Sequence, residues 1–131
     1  MGIINVTPDS FSDGGILFNS SRLHMDKLRS SVQSMVSNGA DIIDIGGEST
    51  RPGAKPISTQ EELDRLIPVL ELISETKSII SIDTRKPAVM KEVLKFPIGL
   101  INDVSGLTSI SGRKLVKNHN VPICVMHNSR D

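Results

Sequence analysis

The sequence predicts an α/β protein with a parallel sheet, because short apolar runs alternate with segments of helical periodicity along its 131 residues. The runs are rich in Ile and Val, which is typical of strands buried on both faces. They span residues 2–6, 41–46, 79–83, 98–102 and 121–126. Five such strands fit either an open doubly wound sheet or about half of an eight-stranded barrel. Length alone favours the open sheet, since a full barrel needs ~250 residues.

Four helices are expected between these strands. In the first, apolar residues recur at helical spacing before the stop signal Asn38-Gly39; they are Leu28, Val32, Met35 and Val36. The second begins with the capping-box pattern Ser58-Thr-Gln-Glu61, and Pro68 inside it predicts a kink. The third follows Asp83-Thr84 with Pro87 in its first turn, and the fourth covers 111–118 with a weaker pattern.

Composition excludes several classes of function. Fifteen Lys+Arg balance fifteen Asp+Glu, so bulk charge gives no affinity for nucleic acid or for an anionic membrane. No apolar run approaches the ~18 residues of a membrane span, and no secretion signal is evident at the N-terminus. The single Cys124 allows neither an intrachain disulfide nor a thiolate metal cluster. These features predict a soluble cytoplasmic protein, or a mitochondrial one in a eukaryote.

Polar residues follow every predicted strand. They are Asn5 with 7–9, Asp44 with 46–51, Asp83 with 84–85, Asn102 with Asp103, and His127 with Asn128. The carboxyl ends of parallel strands share one side of the sheet, where both open α/β sheets and barrels bind ligands. The sequence therefore predicts one functional site at this edge.

Each polar cluster also has a purely structural interpretation. These are a helix cap at Asp83-Thr84, a turn at Asn102-Asp103, a sharp bend at Gly46-Gly47, a structural hydrogen bond for His127, and surface charge for Arg51 and Arg85. Their coincidence at one edge of the sheet favours a site.

Common catalytic motifs are missing from the sequence. It contains no phosphate-binding P-loop, no dinucleotide fingerprint, no H-E-x-x-H metal helix and no G-x-S-x-G elbow. What remains at the strand ends is amides, carboxylates and Arg. This set suits a polar heterocycle and an anion, with or without Mg²⁺.

Four segments resemble the dihydropteroate synthase family of pterin-binding barrels. They are residues 1–15, 44–54, 81–84 and 101–104, in the same order and spacing. The resemblance implies that residues 1–131 are the N-terminal part of a single (β/α)8 barrel domain, about the first five strands of eight, incomplete at both ends. It implies condensation of 6-hydroxymethyl-7,8-dihydropterin pyrophosphate with p-aminobenzoate, which gives 7,8-dihydropteroate and pyrophosphate.

The resemblance also implies roles for individual residues. Asp83 and Asn102 match residues that hydrogen-bond the pterin ring, and Met126 matches a residue that lies along the face of that ring. Asn5 matches an asparagine that helps to bind Mg²⁺ and the pyrophosphate. The matched loop residues are Thr50, Arg51 and Pro52 of the second loop, beside the pyrophosphate and p-aminobenzoate, and Phe11, Ser12 and Asp13 of the mobile first loop. Asp13, Thr50 and Arg51 are the candidate catalytic residues. Sulfonamides occupy the same amine pocket in the family.

The family takes further ligand residues from its sixth, seventh and eighth strands, which have no counterpart here. We therefore expect this chain alone to be inactive. The resemblance also implies a homodimer for a full-length version. Two alternatives remain open. One is a truncated pterin-binding homologue without catalysis, and the other is a methyltetrahydrofolate-dependent methyltransferase, whose barrel also binds a pterin.

Overall fold

A computed structural model describes residues 1–6, 18–19, 22–23, 25–49, 53–103 and 110–125. Its strands are β1 (Gly2–Asn5), β2 (Phe18–Asn19), β3 (Arg22–Leu23), β4 (Ile42–Gly46), β5 (Ile79–Asp83), β6 (Leu100–Asp103) and β7 (Ile123–Val125). Its helices are α1 (Met25–Ser37), α2 (Thr59–Ile73), α3 (Pro87–Val93) and α4 (Ile110–His119). All five predicted strands and all four predicted helices are therefore confirmed. The short antiparallel pair β2–β3 was not predicted.

Sheet topology decides between the two architectures that the sequence left open. Five strands pair in parallel in the order β1-β4-β5-β6-β7, so each one lies beside the strand that precedes it in the chain, the β2–β3 pair aside. A doubly wound sheet reverses this order at a switch point, whereas a barrel continues in one direction. The preference for an open sheet from length alone was wrong, and the topology is that of a partial barrel.

Local signals in the sequence fix the helix ends. Ser58 caps α2, and its Oγ accepts a hydrogen bond from the Glu61 N–H at 3.1 Å. Gly39 follows α1 with a φ of 89°, a left-handed conformation that glycine adopts without strain. Pro68 lies inside α2, which continues to Ile73; the expected kink there stays a prediction.

One face of the sheet packs against the helices and forms an aliphatic core. Every second strand residue points to this face. The core includes the strand residues Ile4, Ile43, Ile45, Ile80, Ile82 and Ile101, and the helix residues Leu28, Leu66, Leu70, Val89, Met90 and Val93. The core is aliphatic because the sequence contains no Trp or Tyr and only three Phe.

The opposite face of the sheet, here called the open face, is only partly covered. It carries Ile3, Asn5, Asp44, Ile79, Ser81, Asp83, Leu100, Asn102 and Cys124. Ile3 is 54% exposed and Ile79 is 49% exposed, and Cys124 is exposed as well. The prediction that every strand is buried on both faces therefore fails at Ile3, Ile79 and Cys124, whereas Asp44 and Ser81 on the same face are buried. Within the described segments, no helix is long and apolar enough to cross a bilayer.

Candidate binding site on the open face

Strand register places the predicted site residues in one row. Asn5 pairs with Gly46, Gly46 with Asp83, Asp83 with Asn102, and Asn102 with Cys124. Neighbouring strands are about 4.8 Å apart, so Asp83 and Asn102 are adjacent and Asn5 is about 10 Å from Asp83. For the described residues, the predicted convergence of strand-end polar groups at one edge is confirmed.

Asp44 lies one step deeper on the open face and supports this row. Its Oδ1 accepts a hydrogen bond of 2.7 Å from the Ser81 Oγ, and both residues are buried. The Asn102 side chain also acts on the Asp44 carboxyl and lowers its pKa. Because a donor has that effect, the amide presents its Nδ2 to Asp44, and its Oδ1 is the atom suited to accept from a ligand.

Burial and neighbouring charge change the acidity of both carboxyls. Burial raises the pKa of Asp44 above its usual range, and hydrogen bonds from Ser81 and Asn102 oppose that shift. Burial also raises the pKa of Asp83 to about 7, helped by the negative charges of Asp44, Glu62 and Asp103. Near neutral pH, Asp83 therefore exists in both protonation states and can donate or accept a hydrogen bond.

Two of the structural interpretations are wrong. Asn102 and Asp103 are strand residues of β6, not a turn. The N-cap of α3 is Lys86, without a side-chain cap bond, so Asp83 caps no helix. Thr84 instead donates from its Oγ1 to Glu62 at 2.6 Å and accepts from the Lys86 N–H at 3.3 Å. Asp83 and Asn102 are thus left on the open face without a capping or turn role.

The bend at Gly46-Gly47 has a packing reason. Neither residue is among the described glycines of positive φ. A Cβ at Gly47 would lie 3.2 Å from the Leu66 Cγ and 3.3 Å from the Glu62 Cγ, so α2 approaches the backbone there closely. A Cβ at Gly46 would lie 3.6 Å from the Asp83 Cβ, an ordinary contact, and would project beside the site.

Sequence reasoning missed a group of charged residues next to the row, here called the Lys86 cluster: Glu48, Glu62, Arg85 and Lys86. The Lys86 Nζ lies 2.9 Å from Glu48 Oε2 and 2.9 Å from Glu62 Oε1. Arg85, read from the sequence as a surface charge, is exposed and pairs with Glu48 at 2.9 Å. One signal was available, because Glu62 falls on the same helical stripe as Leu66 and Leu70 and is only 1% exposed.

The cluster shifts the acidity of its members. Burial acts to lower the pKa of Lys86, but hydrogen bonds from its ammonium to Glu48 and Glu62 outweigh burial and raise it. Burial acts to raise the pKa of Glu48, and hydrogen bonds from Lys86, the Ile57 N–H and Arg85 lower it overall. Both side chains are therefore charged at neutral pH.

The remaining predicted site residues lie outside the described residues. They are Phe11, Ser12, Asp13, Thr50, Arg51, Pro52 and Met126, together with His127 and Asn128. Their roles stay predictions. In the part of the chain that the structure describes, no group of three or more His, Cys, Asp or Glu side chains could hold a metal ion.

Comparison with known proteins is consistent with this geometry. A sequence profile described as "Pterin binding enzyme" matches residues 1–131. The chain therefore belongs to the pterin binding enzyme family.

Two curated relatives of this chain are dihydropteroate synthases. The dihydropteroate synthase of Bacillus subtilis is 48% identical over 130 residues, which cover 98% of this chain and 44% of that protein. The dihydropteroate synthase of Clostridium beijerinckii is 46% identical, with 98% of this chain and 46% of that protein covered. The chain thus spans less than half the length of these relatives.

Solved structures of dihydropteroate synthases also align with this chain. The Yersinia pestis dihydropteroate synthase with a sulfonamide drug complex aligns with a TM-score of 0.86 and 44% identity, over 99% of this chain and 46% of that one. The Xanthomonas albilineans enzyme with 4-aminobenzoic acid aligns with a TM-score of 0.78 and 42% identity, over 96% and 45%. The prediction of a partial (β/α)8 barrel is confirmed by these alignments.

Proposed function

We propose that this chain contributes the pterin-binding part of a dihydropteroate synthase. The reaction joins 6-hydroxymethyl-7,8-dihydropterin pyrophosphate to p-aminobenzoate and releases pyrophosphate. The observation that carries the proposal is the adjacent pair Asp83 and Asn102 on the open face, with Asp44 behind it. The dihydropteroate synthase relatives support it, and they favour it over the methyltransferase alternative.

The ring edge of a pterin alternates hydrogen-bond donors and acceptors, so its recognition needs fixed partners of both kinds. Asn102 offers its Oδ1 because Asp44 engages the amide nitrogen. Asp83 can donate or accept, since its pKa of about 7 allows both protonation states near neutrality. These two side chains would orient the ring along the row.

In the proposed reaction, the C–O bond between the pterin methylene and pyrophosphate breaks, and the electron pair leaves with the pyrophosphate. A C–N bond forms to the amine of p-aminobenzoate, which then loses one proton to solvent. Positive charge develops on the methylene and the pterin. The carboxyls of Asp83 and Asp44 would stabilise that charge from the open face. No activated side-chain nucleophile is required, because the aromatic amine is the nucleophile.

The second and first loops would complete the site. Following the resemblance, Thr50, Arg51 and Pro52 would lie beside the pyrophosphate and the amine, with Phe11, Ser12 and Asp13 closing over them. Met126 would lie along the pterin face. A sulfonamide would compete with p-aminobenzoate, as the sulfonamide complex of the Yersinia pestis relative suggests. A homodimer belongs to the proposal for the full-length protein.

Magnesium is the proposed cofactor. Mg²⁺ usually keeps several waters and takes only one or two protein oxygens besides substrate phosphates. The Asn5 amide fits that role, because it is exposed at the carboxyl end of β1 in the same row as Asp83. When bound, the ion would neutralise charge on the leaving pyrophosphate. Asn5 would hold it through the side-chain oxygen.

A second function is favoured by one observation. Among the described residues, the row supplies partners for a pterin ring, whereas the candidate catalytic residues Asp13, Thr50 and Arg51 lie outside the described segments. A pterin-binding homologue without catalysis would need only the row. It would bind dihydropterin without catalysing the condensation.

The test uses the protein in the full length that its gene encodes. Pyrophosphate release is measured with both substrates, for the wild type, Asp83→Ala and the exposed control Asp64→Ala. We expect Asp83→Ala to lower kcat/KM by about a hundredfold or more and Asp64→Ala to leave it unchanged. Full turnover in Asp83→Ala would contradict the site. A wild type that binds dihydropterin without turnover would support the second function instead.

A further inference from the structure

The segment between β4 and α2 is fastened at its C-terminal end by two opposed contacts. The Ile57 N–H donates to Glu48 Oε2 at 3.1 Å, and the Ile57 carbonyl accepts from Lys86 Nζ at 2.6 Å. Glu48 and Lys86 also pair with each other at 2.9 Å. The backbone groups of Ile57 are thus held on both sides by one ion pair.

The N-terminal end of the same segment is fastened as well. The Gly47 carbonyl accepts from Arg65 Nη1 at 2.9 Å, and Gly47 packs closely against Leu66. Glu48, the next residue, makes the contact with Ile57. The Glu48 side chain therefore joins the two described ends of the connection between β4 and α2, residues 47–49 and 53–57, and Arg65 and Lys86 fix those ends to α2 and to the start of α3.

Lys86 has no donor left for a ligand. An ammonium carries three N–H groups. The three acceptors of Lys86 are Glu48 Oε2, Glu62 Oε1 and the Ile57 carbonyl. Its side chain is 16% exposed and that of Glu48 is 11% exposed. The pair is therefore built to hold backbone and not to bind a substrate anion.

We propose that Glu48 and Lys86 are positioning residues that hold the two described ends of the connection between β4 and α2, residues 47–49 and 53–57, at the carboxyl edge of the sheet. The inference rests on the proposed function, in which Thr50 and Arg51, between those two ends in the sequence, serve the amine and the pyrophosphate. Glu48 and Lys86 then affect the aromatic amine and leave recognition of the pterin ring to Asp83 and Asn102.

The experiment compares Glu48→Ala with Glu92→Ala in the full-length protein. Glu92 is a matched control, because it also pairs with a lysine, Lys95, at 2.8 Å, but on the surface of α3. Three quantities are measured: hydrogen exchange of the Ile57 amide, KM for p-aminobenzoate, and Kd for 6-hydroxymethyl-7,8-dihydropterin. The last ligand lacks pyrophosphate, so it reports on the ring alone.

For Glu48→Ala we expect exchange at Ile57 and KM for the amine each to rise about tenfold or more, with Kd for the dihydropterin within about twofold of wild type. Glu92→Ala should match wild type in all three. An unchanged KM and unchanged exchange in Glu48→Ala would overturn the proposal. An equal loss for both ligands would also overturn it, since that is the effect of a merely structural role.

A second variant, Glu48→Gln, distinguishes loss of the positioning contact from misfolding. Glu48→Gln keeps an oxygen acceptor for the Ile57 N–H, so most of the exchange protection and most of the amine affinity should return. Failure of that rescue would count against the positioning role. A wild type without synthase turnover would refute the proposed function itself, which is a different outcome from an active enzyme that is indifferent to Glu48.

Discussion

Asp83 and Asn102 are direct cross-strand neighbours at the carboxyl ends of β5 and β6. Asp44 lies behind them and hydrogen-bonds the Asn102 amide, so three side chains from three successive strands of the sheet act together. In the proposed function, this carboxyl, with its pKa of about 7, and the neighbouring amide recognise a heterocycle with alternating donors and acceptors. This relationship gives the open face its chemical character.

Stability should depend on pH through Asp83. Between the ordinary aspartate pKa of 3.8 and the raised pKa of about 7, the folded chain keeps the Asp83 proton and the unfolded chain loses it. The free energy of unfolding therefore falls as pH rises through this window and levels off above it. Asp83→Asn should flatten the slope, leaving the smaller contribution of Asp44, whose pKa is also raised.

Urea unfolding across this pH range tests the prediction. Glu48, whose pKa is lowered from 4.5, acts with the opposite sign below that value, so the slope is read above it. The exposed Asp64→Asn serves as the control. An Asp83→Asn variant with the wild-type slope would show that Asp83 is not the titrating group.

Substitution by alanine should change stability and pterin binding differently at the neighbouring Gly46 and Gly47. Gly47→Ala forces a Cβ within 3.2 Å of the Leu66 Cγ, so the free energy of unfolding should fall by about 1–3 kcal/mol. Gly46→Ala meets only ordinary contacts, so stability should change little, but its methyl group would project beside Asp83 and weaken pterin binding. Thermal unfolding and calorimetric binding separate the two effects, and identical behaviour of the two variants would disprove the packing explanation.

Ser81 should matter for stability through Asp44. Ser81→Ala removes the 2.7 Å hydrogen bond and leaves the buried carboxyl with one donor fewer, at a cost of about 1–3 kcal/mol in the free energy of unfolding. Ser34→Ala on the exposed surface of α1 should stay within about 0.5 kcal/mol of wild type. Equal values for both variants in urea would mean that the Ser81–Asp44 contact contributes nothing.

Substitution of Asn5 should weaken magnesium binding and leave binding of the pterin ring unchanged. In the full-length protein, Asn5→Ala should raise the Mg²⁺ concentration for half-maximal turnover by about tenfold. Binding of 6-hydroxymethyl-7,8-dihydropterin should be unchanged, because Asn5 is about 10 Å from Asp83. Asn38→Ala at the exposed end of α1 is the control. An unaltered magnesium requirement in Asn5→Ala would remove Asn5 from the metal site.

Local patterns explain why most elements were predictable. The Ile and Val runs, the Ser58 cap and the Gly39 stop are decided by residues within one turn or one strand, so the sequence carries them directly. Strand-end polarity likewise located Asp83 and Asn102, since parallel strands end on one side. The open-sheet preference failed because chain length carries no information on strand order.

Contacts between distant residues could not be read in the same way. Lys86 meets Glu48 across 38 positions and Glu62 across 24, and Ser81 meets Asp44 across 37, so each pair depends on the register of the sheet and the placement of α2. Of these residues, only Glu62 was recognisable from the sequence, because it is an acidic residue on the apolar stripe of α2. The exposure of Ile3 also depends on which face the helices cover, and a β-branched run alone does not specify that.

The most direct test of the account is calorimetric binding of 6-hydroxymethyl-7,8-dihydropterin to the full-length wild type and to Asn102→Ala. Loss of the Asn102 amide leaves a buried edge of the ring without its partner, so affinity should fall by about 1–3 kcal/mol, roughly 5- to 150-fold. That result would establish the open face as the pterin site. Equal affinity in the two proteins would contradict it.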